Sequence, residues 1–404
     1  MAIPSINLSD QTADIRLLIL LAKTRLSTNE AAAAKELVAS VIDWCGFADL
    51  GQRNFNLPLI RRHLRAIDDG TVPATFWERV DPAANQVAYQ NMRMILAQKK
   101  FVETVTAPLG YDALFFKGPS MAAQFYPDVG LRPCRDVDAL IPKGSLRPII
   151  NKCLAEGYLP VAPDGKATPL TSKRDINAIL RFNDSVTMIA PEGIVIDLQD
   201  HLDKHSGMFN SLNLFDEADS FEIAGTTFST LPLTFLFNYL CHHHTRHTWS
   251  RLHWLSDLDA ICSSEHFDRD VAVALAEELG QRGTVEGCLE LYTLISTDTP
   301  WSDTSEMHRG KSLLKLCILN LPGNLALEKQ LGLRMMGGEF MYHWQARPEL
   351  VAQARRGWWR TIFRPTLSQY VSYPLPEMLQ WLYFIPRAFE LFQRTRQRLR
   401  PVKR

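Results

Sequence analysis

The chain is 404 residues long, with 46% apolar and 22% charged residues. These proportions are those of ordinary globular proteins and exclude a disordered, collagen-like or coiled-coil chain. Lysine plus arginine and aspartate plus glutamate both number 44, so the whole chain has no strong field toward nucleic acid or a membrane. A chain of this length usually divides its core, and we expect two or three domains.

The cysteines and the N-terminus indicate a cellular compartment. The seven cysteines are an odd number and form no C-x-x-C pair, unlike a disulfide framework or a zinc knuckle. The apolar run from Leu17 to Ala22 follows no basic segment and is too short to span a bilayer. We therefore expect a cytoplasmic protein without a signal peptide.

Apolar residues recur at helical spacing through the first quarter of the chain. The spacing predicts helices between Asp14 and about Arg65, and another from about Trp77 to Val105. Pro108 and Gly110 end this pattern. The chain therefore begins with a helical region.

Short apolar runs and turn residues follow. Residues 113–116 predict a strand that enters Lys117-Gly118, and Pro119 suits the first turn of a helix that continues through Phe125. This order predicts a strand, a turn and a helix.

A second set of strands is predicted further along. Val137–Ile141 has the pattern of a strand, and Leu146–Glu156 that of a helix capped by Gly157. Ser185–Ala190 and Ile194–Leu198 flank a Pro-Glu-Gly turn, which is typical of a β-hairpin. The sheet is therefore predicted to be mixed.

The remainder of the chain is predicted to be helical again. Helical spacing runs from Leu231 to about Gln345, with a loop from Thr297 to Ser305. A last helix is predicted from Glu377 to about Arg400, with a kink at Pro386.

These patterns together predict an α+β fold, with a small mixed sheet in an α/β-type core and helical regions on either side. We predict an N-terminal helical region over 1–106 and a catalytic core over 107–228. A helical domain over 229–345 and a basic, aromatic C-terminal segment over 346–404 complete the chain.

Three aspartates in the predicted core could act together. Asp136 and Asp138 are two residues apart, so on a strand both side chains leave the same face. Asp197 interrupts an apolar strand, where a charge is costly unless it reaches an edge, a partner or a metal. Close carboxylates repel unless a cation lies between them, and Mg²⁺ prefers such oxygens. The alternative is that Asp136 and Asp138 cap the strand or pair with Arg132 and Arg135.

The order of these features resembles a known family. Phe116-Lys117-Gly118-Pro119-Ser120, Tyr126-Pro127-Asp128, Arg132-Pro133 and Asp136-Val137-Asp138 are similar to the uncharacterised nucleotidyltransferase family of the DNA polymerase β superfamily. The resemblance implies transfer of a nucleoside monophosphate from a nucleoside triphosphate, with ATP the expected donor, and release of pyrophosphate. The implied acceptor is a small molecule, a peptide or a protein side chain.

The resemblance also implies a site with two Mg²⁺ ions, or Mn²⁺ in their place, roughly 3.5–4 Å apart. Asp136 and Asp138 would bind both ions, and Asp197 would bind the ion beside the acceptor. The chain departs from the family in having Lys117-Gly118 where Gly-Ser is usual, and Gln199 where a histidine often occurs.

Several polar residues are candidate contacts to the nucleotide. Lys117 and Arg132 carry charges that offset those developing on phosphate during transfer. Gly118 allows a phosphate to approach the backbone at a helix N-terminus, and Ser120 is a further candidate. Lys117 and Arg132 have the alternative role of cations at the edge of the core.

The densest histidine cluster is His242-His243-His244-Thr245-Arg246-His247. His243 and His247 share a helix face at positions i and i+4. A zinc site is disfavoured, because the cluster lacks a zinc-hydrolase glutamate and a third ligand at suitable spacing. We predict instead that His243 or His247 contacts phosphate or the acceptor.

The C-terminal segment combines tryptophans with arginines. Packing against the helical domain is the favoured interpretation, with peripheral membrane contact as the alternative. Nucleic acid binding is not expected, although it stays open.

Three functional hypotheses therefore remain. The first is an active Mg²⁺-dependent nucleotidyltransferase. The second is an inactive nucleotide-binding or regulatory protein on the same fold, and the third is a metal-dependent phosphoesterase or nuclease.

Overall fold

The structure is a computed structural model that describes residues 8–183, 185–202, 209, 213–295, 305–323, 344–345 and 348–398. Within these residues the chain forms sixteen α-helices and one sheet of seven strands, which is an α+β fold as predicted. The helices are α1 Ala13–Leu20, α2 Thr28–Val38, α3 Trp44–Arg53, α4 Leu57–Ile67, α5 Ala74–Phe101, α6 Gly118–Phe125, α7 Leu146–Ala155, α8 Lys173–Phe182, α9 Leu233–Arg246, α10 His253–Cys262, α11 Arg269–Glu278, α12 Arg282–Leu294, α13 His308–Asn320, α14 Pro348–Phe363, α15 Leu367–Ser372 and α16 Phe384–Arg398.

The sheet is mixed, which confirms the prediction. Its strands are β1 Leu114–Phe115, β2 Val137–Leu140, β3 Leu159–Val161, β4 Ser185–Ile189, β5 Val195–Gln199, β6 Asp219–Ile223 and β7 Thr226–Thr230. Their spatial order is β3-β4-β5-β2-β1-β7-β6. The pairs β2–β5 and β1–β7 are parallel, and the other four pairs are antiparallel.

The chain divides into two compact units, each built from three segments. The first unit contains residues 1–92, 121–133 and 233–346, and the second contains 93–120, 134–232 and 347–404. The predicted boundaries at 106, 228 and 345 stay predictions.

The second unit holds the sheet and its core. Alternate residues of the central strands are buried, for example Val137 and Ala139 on β2 and Ile196 and Leu198 on β5. They join the apolar side of α7, where Ile149 is fully buried. The opposite strand face is left for polar residues, because successive side chains of a strand alternate between faces.

Glycines and capping residues define the local boundaries of the second unit. Gly157 ends α7 with a φ of +83°, a left-handed conformation that favours glycine. Ser172 forms a capping box with Asp175 at the start of α8, which satisfies two backbone N–H groups.

The first unit is helical. Helices α1 to α4 occupy the region that helical spacing predicted between Asp14 and Arg65. Asp259 on α10 accepts hydrogen bonds from the backbone N–H and the hydroxyl of Thr24, at 2.7 and 2.6 Å. A buried carboxylate is thereby satisfied within the unit.

Several elements differ from the sequence expectations. Strands β3, β6 and β7 and helix α8 were not predicted. The predicted single helix from Glu377 is wrong in its start: a 3₁₀ segment, Glu377–Tyr383, precedes α16, which begins at Phe384. Pro386 therefore lies in the first turn of α16, where its missing N–H costs no helical hydrogen bond, and the predicted kink stays a prediction. The loop predicted from Thr297 to Ser305 lies outside the described residues except for Ser305. No described helix is long and apolar enough to cross a membrane.

Candidate functional site

Two of the three predicted carboxylates lie side by side on the sheet. Asp138 on β2 and Asp197 on β5 are direct register partners on neighbouring parallel strands. Adjacent strands are about 4.8 Å apart, and both aspartates lie on the strand face opposite the buried core residues. The strand pairing therefore brings together two acids that are 59 positions apart in the chain (197 − 138).

A lysine lies beside this pair of carboxylates. Lys117 Nζ is 3.5 Å from Asp138 Oδ1, and the two side chains are only 15% and 16% exposed. Two nearby carboxylates repel each other, and an ammonium group offsets part of that repulsion. Lys117 therefore stabilises the site electrostatically, whatever else it binds.

Gly118 sets the backbone next to the third carboxylate. Its φ is +55°, and a Cβ on this residue would lie 2.7 Å from the carbonyl oxygen of Asp136. Any other residue would be strained by the left-handed conformation and would also push against the Asp136 backbone. Gly118 thus brings the turn after β1 against the start of β2, and the phosphate approach predicted for it stays a prediction.

Ser120 lies inside the second unit. It is 1% exposed, and its hydroxyl donates a hydrogen bond to Gln98 Oε1 at 3.0 Å. The structure therefore gives Ser120 a contact to α5, and its predicted contact to nucleotide stays a prediction.

Arg132 belongs to the first unit, where it forms a buried ion pair. Its Nε and Nη2 atoms donate to the two carboxylate oxygens of Asp257 at 2.8 and 2.9 Å. Tyr126 donates its hydroxyl to the same carboxylate at 2.7 Å. The arginine is 7% exposed and the aspartate is fully buried. This bidentate ion pair therefore holds the Tyr126–Arg132 segment to α10. The predicted triphosphate contact of Arg132 stays a prediction.

Asp257 is the residue whose role sequence reasoning missed. Burial raises the pKa of its carboxyl, but the Arg132 guanidinium outweighs burial and holds that pKa at about 2, with smaller contributions from His253 and His244. The available signal was an acid among the apolar positions of α10, where Leu255, Leu258 and Ile261 are buried.

The histidine cluster lies at the end of α9 in the first unit. His243 is half-buried and His247 is exposed, and their ring centroids are 4.7 Å apart. His244 is buried and stacks on Trp254 at 4.9 Å, with 12° between the ring planes. His247 directly follows the last residue of α9, so the two rings are neighbours, while their contact to phosphate or acceptor stays a prediction.

The backbone directly after this helix is strained. Thr248 and Trp249 have φ values of +57° and +51°, a conformation that a β-branched or bulky residue rarely adopts. Trp249 is fully buried, and its ring N–H donates to Thr245 at 3.2 Å. Burial of this tryptophan offsets the backbone strain and holds the C-terminal end of α9 in place.

The predicted metal ligands fit a hard divalent cation in type. Asp138 and Asp197 offer carboxylate oxygens in direct register, and Asp136 lies two residues before Asp138. Among the described residues, no three His, Cys, Asp or Glu side chains already form a ligand group. The predicted Mg²⁺ site formed by these three aspartates stays a prediction.

A cavity of about 500 Å³ lies within the second unit, at the carboxyl ends of β2 and β5, two to three residues beyond Asp138 and Asp197. Leu140 on β2 and Asp200, directly after β5, are among its lining residues. His201 also lines it, and its Nδ1 is 2.5 Å from Asp200 Oδ1. This volume lies in the range of small-molecule sites.

Comparison with known proteins identifies a family. No curated protein matches the chain. The model of the family described as uncharacterised nucleotidyltransferase matches residues 40–295, which is more than half of the chain. The matched range includes Lys117, Asp138, Asp197 and Asp257. The chain therefore belongs to the uncharacterised nucleotidyltransferase family.

Proposed function

We propose that this protein transfers a nucleoside monophosphate, with ATP as donor, to a small-molecule acceptor and releases pyrophosphate. Family membership supports nucleotidyl transfer in general. The observation that carries the proposal is the direct register of Asp138 and Asp197 on β2 and β5, because paired carboxylates on one strand face are the ligands a phosphate-bound divalent cation needs.

The proposed metal ligands are the three aspartates. Asp136 and Asp138 would hold two Mg²⁺ ions, for which Mn²⁺ could substitute, and Asp197 would hold the ion beside the acceptor. When bound, the ions supply positive charge at the phosphates and lower the pKa of the acceptor group.

The residues of the chain have distinct roles in the proposed reaction. An acceptor oxygen or nitrogen forms a bond to the α-phosphorus, while the bond from that phosphorus to the bridging oxygen breaks and pyrophosphate leaves. Lys117, already 3.5 Å from Asp138, would neutralise charge on the leaving phosphates. Asp197 would accept the proton that the acceptor loses, since Gln199 has no basic group.

The cavity supports a small organic acceptor. Among the described residues, its ionisable lining side chains are Asp112, Lys143, Asp200 and His201, which together carry a formal charge of −1 with neutral histidine. This charge disfavours a triphosphate and suits an uncharged or cationic molecule. The aromatic rings of Tyr111 and Phe215 also line the cavity and would cover an apolar part of that molecule.

The contact between Lys117 and Asp138 also favours one alternative function. An ammonium group at 3.5 Å partly satisfies Asp138 without a metal, as expected of an inactive protein that binds nucleotide for regulation. The third alternative is a metal-dependent phosphoesterase, in which water would take the place of the acceptor and the phosphoester would be hydrolysed.

The proposed compartment is the cytoplasm, where ATP would be the donor. All seven cysteines are free thiols, which supports a reducing environment.

The test measures Mg²⁺-dependent binding and turnover of the four ribonucleoside triphosphates by the wild type and by Asp136→Asn. Pyrophosphate release is then followed with fractionated small molecules of a cell extract as acceptors. We expect pyrophosphate release that requires Mg²⁺, the Asp136 carboxylate and one fraction of the small molecules. Nucleotide binding without release in any fraction would favour the regulatory alternative, and no binding would overturn nucleotide chemistry at this site.

A further inference from the structure

The last helix of the described chain exposes its apolar residues. Ile385, Phe389 and Phe392 on α16 are 67%, 61% and 65% exposed. At about 100° per residue these three positions fall within an arc of about 60° around the helix. They therefore form one apolar stripe that the described protein leaves uncovered.

The opposite side of α16 packs inward with charged residues. Arg387 is 7% exposed and donates to Glu390 Oε2 at 3.0 Å. Glu390 also accepts a hydrogen bond from Gln369 on α15 at 2.9 Å. A helix on the surface of a water-exposed protein normally shows the reverse arrangement, so the outward stripe indicates an apolar environment outside the protein.

Neighbouring elements extend the stripe. Met378 and Trp381, in the 3₁₀ segment before α16, are 88% and 62% exposed. Trp359 and Phe363 on α14, which packs against α16, are 44% and 56% exposed; their rings stack with centroids 6.0 Å apart. We name the whole set the C-terminal apolar surface: Trp359, Phe363, Met378, Trp381, Ile385, Phe389 and Phe392.

Basic residues accompany this surface. Arg356 and Arg360 on α14 and Arg364, directly after it, are exposed and follow one another at i, i+4 and i+8, beside the Trp359–Phe363 stack. Between Arg347 and Arg404 the sequence contains twelve basic and three acidic residues, a net charge of +9 (12 − 3). Apolar aromatic residues next to arginines are typical of helices that lie in a membrane interface.

We propose that the C-terminal apolar surface binds the surface of an anionic lipid bilayer. The bilayer accepts the apolar side chains below its headgroups, and its negative charge attracts the arginines. A second copy of the chain is a poorer occupant, because two segments of charge +9 repel. Nucleic acid would satisfy the arginines, but Ile385 and Met378 cannot stack on bases as aromatic rings do.

The test is flotation of the full chain with vesicles. One set contains equal parts of phosphatidylcholine and phosphatidylglycerol, and the other contains phosphatidylcholine alone. The test variant is Phe389→Ser/Phe392→Ser. The control is Ile42→Ser, which removes an apolar side chain that is 96% exposed in the first unit. Circular dichroism checks that each variant is folded.

We expect the wild type and Ile42→Ser to float with the anionic vesicles, and the double variant to bind at least about tenfold more weakly. Added salt should weaken wild-type binding. Equal binding to both vesicle types, or no effect of the double variant, would overturn the proposal. Absence of vesicle binding would also overturn it if the wild type instead self-associates in sedimentation, or binds nucleic acid, and the double variant does not. The surface would then belong to a second copy of the chain or to nucleic acid.

Discussion

Asp138 and Asp197 occupy one register position on the parallel strands β2 and β5. Neighbouring strands are about 4.8 Å apart, so carboxylates at one register position repel each other, and Lys117 Nζ is 3.5 Å from Asp138 Oδ1. The folded protein therefore bears an electrostatic cost at this place, which a divalent cation would relieve.

The first prediction concerns Asp197. Asp197→Asn should leave the melting temperature in chelator unchanged or higher, because one of the two repelling charges is gone. Mg²⁺ should raise the melting temperature of the wild type but not of the variant, and nucleotidyl transfer should fall by about 100-fold or more. Asp219→Asn, on the edge strand β6 of the same sheet, is the matched control. Wild-type turnover in Asp197→Asn would remove this residue from the mechanism.

The second prediction separates the two roles of Lys117. Its ammonium group, 3.5 Å from Asp138, would compete with the proposed metal for that carboxylate, and it is also the proposed phosphate contact. Lys117→Met should therefore lower the Mg²⁺ concentration needed for half-saturation in the absence of nucleotide, and should raise the KM for ATP about tenfold. Lys152→Met, which removes only the helix pair with Glu156, should change neither. If the Mg²⁺ concentration for half-saturation and the KM for ATP both stay at wild-type values, Lys117 has only a structural role at the edge of the core.

The third prediction concerns Gly118. A methyl group here would lie 2.7 Å from the Asp136 carbonyl oxygen on a backbone with φ of +55°. Gly118→Ala should destabilise the protein by about 2–3 kcal/mol and reduce turnover, because it displaces the residue before β2. Gly193→Ala has a similar φ of +80° but meets no atom within 4 Å. This control should cost only about 1–2 kcal/mol, with full activity in the remaining folded protein; equal losses of activity in both would contradict the displacement of Asp136.

The fourth prediction concerns the ion pair of Arg132 and Asp257. Arg132→Met should destabilise the protein by about 3–5 kcal/mol near neutral pH, because it leaves a fully buried carboxylate without its cation. Arg79→Met, whose partner Asp49 is 56% exposed, should cost less than about 1 kcal/mol. Urea unfolding measures both. A changed KM for ATP with little change in stability would instead support the phosphate contact.

The same ion pair predicts a pH dependence. The pKa of Asp257 is lowered from 3.8 to about 2 in the folded protein. A lowered folded pKa stabilises the fold above the unfolded value, so about 2 kcal/mol of stability is present above about pH 4 and is lost as the pH falls toward 2. Asp257→Asn should therefore flatten the acid limb of the stability curve, whereas an unchanged limb would assign acid unfolding to other groups.

The sequence predicted the elements that have strong local signals. The hairpin of β4 and β5 follows from two apolar, β-branched runs around a Pro-Glu-Gly turn, and the shared face of Asp136 and Asp138 follows from the period of a strand. Strand β3 was missed because Leu159–Val161 is only three residues long and contains a proline. Strands β6 and β7 were missed because they alternate weakly, with serine, threonine and acidic residues at exposed positions.

Long-range relationships lay beyond local reasoning. The register that places Asp197 beside Asp138, and not one residue away, depends on the pairing of β5 with β2, which no local spacing encodes. Arg132 is a residue type that commonly binds phosphate. Only the 2.8 Å hydrogen bond from its Nε to Asp257 Oδ1 indicates that its guanidinium forms an ion pair inside the first unit. The cavity likewise combines residues from before β1 to after β5.

The last prediction tests the cavity as the acceptor site. Asn213 is an exposed residue that lines it, so Asn213→Trp should fill part of the 500 Å³ without disturbing the core. We expect the KM for the acceptor to rise at least about tenfold while the KM for ATP stays unchanged, because the two substrates would occupy different places. Glu222→Trp, at an exposed position of β6 outside the cavity, is the control. A parallel rise in both KM values would assign the cavity to the nucleotide, and no change in either would remove it from catalysis.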